Sequence, residues 1–400
     1  MALGIEAFQS AAQSLGLRLE APDLPWWKDN DLLILEGELD GTPVFVQQGV
    51  LTVGGRYQTR VYFHAAIDPP LDLGLSISLR ASGYTVSQPL GERDLDGSPA
   101  FDAAFIIEGA ERDRTNALFT RELRGALITW HNARKWERYA KEKSWMEFWI
   151  SDQSVILRLE PGYFAWGFGS KATLVEELVA DVRATAALAR AVGEAARNVP
   201  PSALLAPHAP AWRAFAEAHG HRFSASPLSI TGTMGDVPFA VRAVWQGKGT
   251  YGVELTVPFA RPLPAYLRVG RQTHWWELSR RWATYPDAWS EWLTARKTGD
   301  ETFDEVFRVV TANAEAEDTV LSEDVRGALL ELGAWYEHVH MTTEVISVRT
   351  PGMIPPAEFE GVLRSLARIE KLIDASTRRL ESGRGREEYA RAGVPARVGP

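Results

Sequence analysis

Phe101-Asp102-Ala103-Ala104-Phe105 returns further along the chain as Phe303-Asp304-Glu305-Val306-Phe307. Arg124-Gly125-Ala126-Leu127 returns as Arg326-Gly327-Ala328-Leu329, and both pairs lie 202 positions apart. Gly97 and Gly299 fall on the same register. Either short string alone could arise by chance, but two on one register point to a tandem duplication. The repeated unit is roughly 200 residues, an ordinary domain size.

Working outward, both units carry the same order of patterns. Ile5, Phe8, Ala12 and Leu15 sit at helical spacing before Gly16, as Trp212, Phe215 and Ala216 do before Gly220. Glycine just past a helical run is a stop signal. Leu32–Gly37 and Pro43–Val46 flank the turn Leu39-Asp40-Gly41, and Leu228–Gly232 and Pro238–Val241 flank Met234-Gly235-Asp236. These read as hairpins. Tyr57–Phe63 and Tyr251–Val257 alternate with period two, and Leu71 and Leu75 match Leu263 and Leu267. Thr120 and Ser322 are expected N-caps of a helix after each FDxxF segment. Strands at Trp145–Ile150, Val155–Leu159 and Val345–Arg349 follow, and each unit closes on an amphipathic helix. Leu174, Leu178, Val182 and Val192 form the stripe of one; Phe359, Leu363, Leu366 and Ile373 form that of the other.

The expected fold class is therefore α+β, two tandem homologous domains of antiparallel sheet and helices related by a pseudo-twofold. Residues 1–198 form the first, 199–205 a proline-rich linker, and 206–382 the second. Residues 383–400, rich in Gly, Arg and Glu with little to bury, read as a disordered tail.

Composition narrows the chemistry. Cysteine is absent, which removes disulfides, thiol nucleophiles and cysteine-ligated metals. A net charge of −9 argues against nucleic acid. No apolar run approaches a membrane span, and no leader pattern opens the chain, so the expectation is a cytoplasmic protein off the membrane. Arginine outnumbers lysine and alanine is abundant, which reads as a bacterial coding bias.

Several motifs need weighing. Gly247-Lys248-Gly249-Thr250-Tyr251-Gly252 spells GxGxxG, but an alternating strand pattern follows where nucleotide binding needs a helix. A hairpin turn is the better reading. The recurring Asp102, Arg124, Asp304 and Arg326 are expected to be structural, with each Asp capping the next segment or pairing with Arg, because one active site rarely needs duplicating. His219 and His221 fall at a helix stop. His338-Val339-His340 would put both imidazoles on one strand face, a candidate metal pair without an identified third ligand. Carrying the Val155/Val345 register back gives Phe148 and Ile150 as their counterparts in the first unit.

Tryptophan is the outlier, 15 in 400 residues. Trp275, Trp276, Trp282, Trp289 and Trp292 crowd a stretch where the second unit is about ten residues longer, and surface insertions of this kind carry function. Trp136 lies in an insertion of the first unit, among Arg134, Lys135, Arg138, Lys141 and Lys143, with Glu137 and Glu142 between them. These indoles suit a seam between the units, a partner surface, or stacking on a carbohydrate or other small ligand.

No cofactor is expected. The residues favour a non-enzymatic binding or scaffold protein that meets a protein partner or itself, with the Trp-rich insertions as the contact surface. The alternative is an enzyme, or a small-molecule or metal-binding protein, with one site between the units.

Overall fold

The computed structural model describes residues 5–20, 33–53, 56–79, 99–133, 146–159, 171–247, 250–261, 263, 267–271, 295–311, 318–342 and 344–391. The first half contains α1 (Ile5–Leu15), β1 (Arg18–Glu20), β2 (Leu33–Leu39), β3 (Thr42–Val53), β4 (Arg56–Ala66) and β5 (Ser76–Leu79). It continues through α2 (Pro99–Ala104), β6 (Phe105–Glu108), α3 (Arg112–Leu118), α4 (Arg121–Ala133), β7 (Met146–Ser151), β8 (Ser154–Leu159) and α5 (Lys171–Ala196). The second half contains α6 (Ala209–His219), β9 (Arg222–Ala225), β10 (Leu228–Met234), β11 (Val237–Gly247), β12 (Thr250–Pro258) and β13 (Leu267–Arg271). It ends with β14 (Ala295–Arg296), α7 (Glu301–Val306), β15 (Phe307–Thr311), α8 (Glu323–Trp335), β16 (His338–Met341), β17 (Val345–Arg349) and α9 (Phe359–Arg391).

Two separate antiparallel sheets result. One runs β1-β2-β3-β4-β8-β7-β5-β6; the other runs β9-β10-β11-β12-β17-β16-β13-β15-β14. Position by position the orders coincide, with β14 added at one edge of the second. In each half the helices pack on one sheet face. Helix α5 lies on β3, β4 and β8, and α9 on β10, β11, β12 and β17. The stripe residues of α5 and α9 point there: Leu178, Val182 and Val192 are buried in one core, Phe359, Leu363, Leu366 and Ile373 in the other.

Local chemistry accounts for the boundaries. Gly16 (φ 68°) and Gly220 (φ 67°) stop α1 and α6 in the left-handed conformation, which favours glycine. Thr120 caps α4 by accepting the Leu123 N–H at 3.2 Å. Ser322 occupies the same place before α8 without a side-chain cap bond. The FDxxF segments form a short helix running straight into a strand. Their phenylalanines are buried, with ring centroids 5.1 Å apart for Phe101 and Phe105 and 5.0 Å for Phe303 and Phe307. Gly247 of the GxGxxG string ends β11 and its Thr250, Tyr251 and Gly252 lie in β12, so a strand stands where nucleotide binding needs a helix. Helix α9 continues past Ser382 to Arg391, so residues 383–391 are helical where composition suggests no order. Among the described residues no helix is long and apolar enough to cross a membrane.

Candidate functional site between the two sheets

The halves are joined by a buried polar latch. Asp72, on the segment after β4, has a side chain only 2% exposed, and its Oδ1 lies 2.5 Å from Nη2 of Arg114 on α3. Its other oxygen accepts the backbone N–H of Leu228, at the start of β10, at 3.0 Å. The Asp72 carbonyl accepts from Arg114 at 3.0 Å and from the Tyr251 hydroxyl of β12 at 2.9 Å. The linker is part of this latch. Arg114 Nε donates to the Pro200 carbonyl at 2.8 Å, Ser202 donates to Glu111, and Ala203 N–H donates to Glu111 at 3.0 Å. Burial, then the nearby Asp72 charge, pushes the Tyr251 phenol well above its ordinary range, so it acts as a neutral donor.

Beside the latch lies a cavity of roughly 390 Å³, lined by groups from both halves that include Ser76, Trp149, Asp152, Trp245, Gln246 and Arg349. That volume is within the range of ligand clefts, about 300–1,000 Å³. Asp152 sits in the β7–β8 turn and accepts three backbone N–H groups, from Leu73 (3.2 Å), Gly74 (2.8 Å) and Leu75 (2.9 Å). Burial pushes its carboxyl up to about 6, and the Asp72 charge adds to the rise, against the pull of the three amides. Arg349 is held by Glu254 at 3.1 Å, and Glu254 also binds Arg242. Gln246 donates to the Thr350 carbonyl. Asp152, Arg349 and Gln246 are thus each engaged in holding the fold.

The residues singled out by sequence are distributed as follows. Asp304 caps the turn before α7, accepting from Thr298 N–H and hydroxyl at 2.9 Å each and from Gly299 N–H at 3.3 Å. Arg326 pairs with Asp300 (3.2 Å) rather than with Asp304, and donates to the Leu321 carbonyl at 2.6 Å. Asp102 on α2 and Arg124 on α4 hold the matching positions in the first half. None of these four lines the cavity.

His338 and His340 do share one face of β16. His338 pairs across with Arg349, and His340 with Ser347 and Gly270. Burial, then the Arg268 charge, lowers the His340 imidazole to about 3, so it is neutral at physiological pH. Among the described residues no three His, Asp or Glu side chains stand close enough to hold a metal ion. The counterparts of this pair differ from the expected ones by one residue. Ile67 N–H bonds the Gln153 carbonyl as Phe259 N–H bonds that of Glu344, which sets Val155 against Ile346 and Arg158 against Arg349. His338 and His340 therefore answer to Glu147 and Trp149, not to Phe148 and Ile150. A slip of one residue exchanges sheet faces, and the core face confirms the register: Phe148 and Ile150 are buried in one core as Val339 and Met341 are in the other.

Trp136 and the cluster Trp275, Trp276, Trp282, Trp289 and Trp292 lie outside the described residues. The latch residues and Asp152 carry no local sequence signal; they are single acids and an arginine brought together by topology.

No family model and no curated protein matches the sequence. A solved structure, that of the mycobacterial trehalose monomycolate transport factor A, TtfA, matches over 49% of this chain and 96% of its own, at 13% identity and a TM-score of 0.28. At that score the likeness bears on neither fold nor function.

Proposed function

We propose that this chain is a non-enzymatic binding protein, built from two copies of one α+β unit about a pseudo-twofold, that holds its ligand in the cleft between them. The observation that carries this reading is the way the cleft's polar groups are used. Both Asp152 oxygens accept backbone amides, Arg349 is committed to Glu254, and Gln246 to a backbone carbonyl. Three amide bonds take three of the roughly four acceptor sites of a carboxylate, which leaves Asp152 a single one for a substrate proton. The cleft instead offers walls fixed by these bonds, with the indoles of Trp149 and Trp245 among them, which suits recognition. The matching strand orders support the duplication, and the copy-specific tryptophans from Trp275 to Trp292 extend the proposal to a protein partner.

One observation favours a second reading. A carboxyl raised to about 6, as at Asp152, is the property of a general acid or base near neutral pH. The test is thermal shift against a library of small metabolites and short peptides, with wild type beside Ser76→Trp, whose indole would fill the cleft. A cleft ligand should raise the melting temperature of wild type and not of the variant. Ligands that stabilise both proteins equally would overturn the cleft reading, and turnover of a bound compound would replace it with the enzymatic one.

A further inference from the structure

The second half carries a feature that the cleft does not use. Trp335, the last residue of α8, is 84% exposed, the most exposed large hydrophobic side chain among the described residues. It stands at the edge of a groove of about 590 Å³ between α8 and α9, whose walls include Leu332, Tyr336 and Val362. The rim is charged with both signs, Glu331 on α8 bonding Arg368 on α9 at 2.8 Å, with side chains 67% and 60% exposed. On the 202 register Trp335 answers to Ala133, so the shared scaffold does not require an indole there.

A projecting indole and an open groove on one patch are the two halves of a self-complementary contact. A twofold interface demands that every group find its complement on the same surface of the other copy. The rim meets that demand as well: the Glu331 of each copy would face the Arg368 of the other, and the reverse. A partner of one charge sign would satisfy one rim residue and oppose the other.

We propose that two copies of this chain pair through this face, the Trp335 of each entering the groove of the other, with Glu331 and Arg368 exchanging partners across the twofold. Two indoles bury about 150–250 Å² each, well short of the roughly 1,200–2,000 Å² of a stable interface. The dimer is accordingly a weak one, in concentration-dependent exchange with monomer.

Sedimentation velocity of the full chain over a wide concentration range tests this independently of any cleft ligand. Wild type should move from monomer toward dimer as concentration rises, whereas Trp335→Ala should stay monomeric at every concentration with melting unmoved. Gly361→Gln provides a second variant. A Cβ built at Gly361 meets nothing within 4 Å in its own chain, so a longer side chain has room there, and by occupying the groove it should hold the protein monomeric. Glu331→Arg or Arg368→Glu alone should weaken the dimer on the order of tenfold or more by setting like charges against each other. The double reversal should recover it. Wild type that remains monomeric throughout, Trp335→Ala that dimerises like wild type, or a double reversal that recovers nothing would each overturn the proposal.

Discussion

Arg349 stands in the second sheet where Arg158 stands in the first, yet the two guanidiniums take their carboxylates from opposite sides. Arg158 reaches Glu147 on β7 at 2.7 Å and lies over the Tyr62 ring at 5.5 Å. Arg349 reaches Glu254 on β12 at 3.1 Å, and Glu254 fills the position that Tyr62 holds in the first half. The same arginine position thus serves two environments. In the first the ion pair is partly exposed, with side chains 16% and 23% accessible. In the second the acid is buried between two arginines, one of which, Arg349, lines the cleft.

That difference fixes the first prediction. Glu254→Gln leaves Arg242 and Arg349 facing a neutral amide, and removing one partner of a buried pair costs about 3–5 kcal/mol. Glu147→Gln, at a partly solvated pair, should cost less than about 1 kcal/mol. Urea denaturation of the two variants measures the contrast, and equal losses would contradict it. Burial pushes Glu254 up, but Arg242 and Arg349 outweigh it and hold the carboxyl below its usual range. A depressed pKa means that this contribution is present above the unfolded value and is lost as pH falls through the folded one.

The latch gives the second prediction. Asp72→Ala strips Arg114 of its buried carboxylate and leaves the Leu228 N–H without its acceptor. The loss is expected to be about 3–5 kcal/mol. Because these bonds join the halves, the damage should appear as lost coupling. Calorimetry should resolve one unfolding transition in wild type into two in the variant. A single transition, merely lowered, would show that the halves are coupled elsewhere.

Asp152 gives the third. Its carboxyl is raised from 3.8 to about 6 in the folded state, so between those values the native protein binds a proton that the unfolded chain has released. Stability from this group is complete below the unfolded pKa and is lost as pH rises through about 6. Asp152→Asn removes the titration at the cost of one amide bond. Melting temperatures from pH 4 to 7 should therefore fall less steeply with rising pH in the variant than in wild type. Parallel curves would mean that Asp152 stays ionised across the range.

The order of elements is legible in the sequence because alternation in Tyr251–Val257 and the stripe at Phe359, Leu363 and Leu366 are local patterns, and each half buries them against its own sheet. Register is less legible. Val155-Ile156-Leu157 and Val345-Ile346-Ser347-Val348 fit each other at either of two offsets, and the burial of Leu157 and Val348 decides between them. The site is least legible of all. Asp72 meets Arg114 across 42 positions, Leu228 across 156 and Tyr251 across 179, and no local pattern announces partners that far apart. Asp304, by contrast, finds Thr298 and Gly299 within six residues, but on the segment before it, where the sequence pattern suggests the segment after it or Arg326.

The last prediction concerns Gly74, which lines the cleft where the halves touch. Its φ of 61° lies in the left-handed region, and a Cβ built on it falls 2.6 Å from Cδ1 of the Trp245 indole. Gly74→Ala therefore incurs two separate costs, backbone strain and overpacking against a ring of the other half. Overpacking alone costs typically about 1–3 kcal/mol, and the strain adds to it. Trp245→Ala in the same chain removes the clash but leaves the strain. The double variant should recover part of the loss caused by Gly74→Ala when each is compared with its own Gly74 parent. Urea denaturation of the four proteins closes that cycle. A coupling near zero would mean that the indole swings aside freely, and that the wall between the halves is softer than the packing at Gly74 requires.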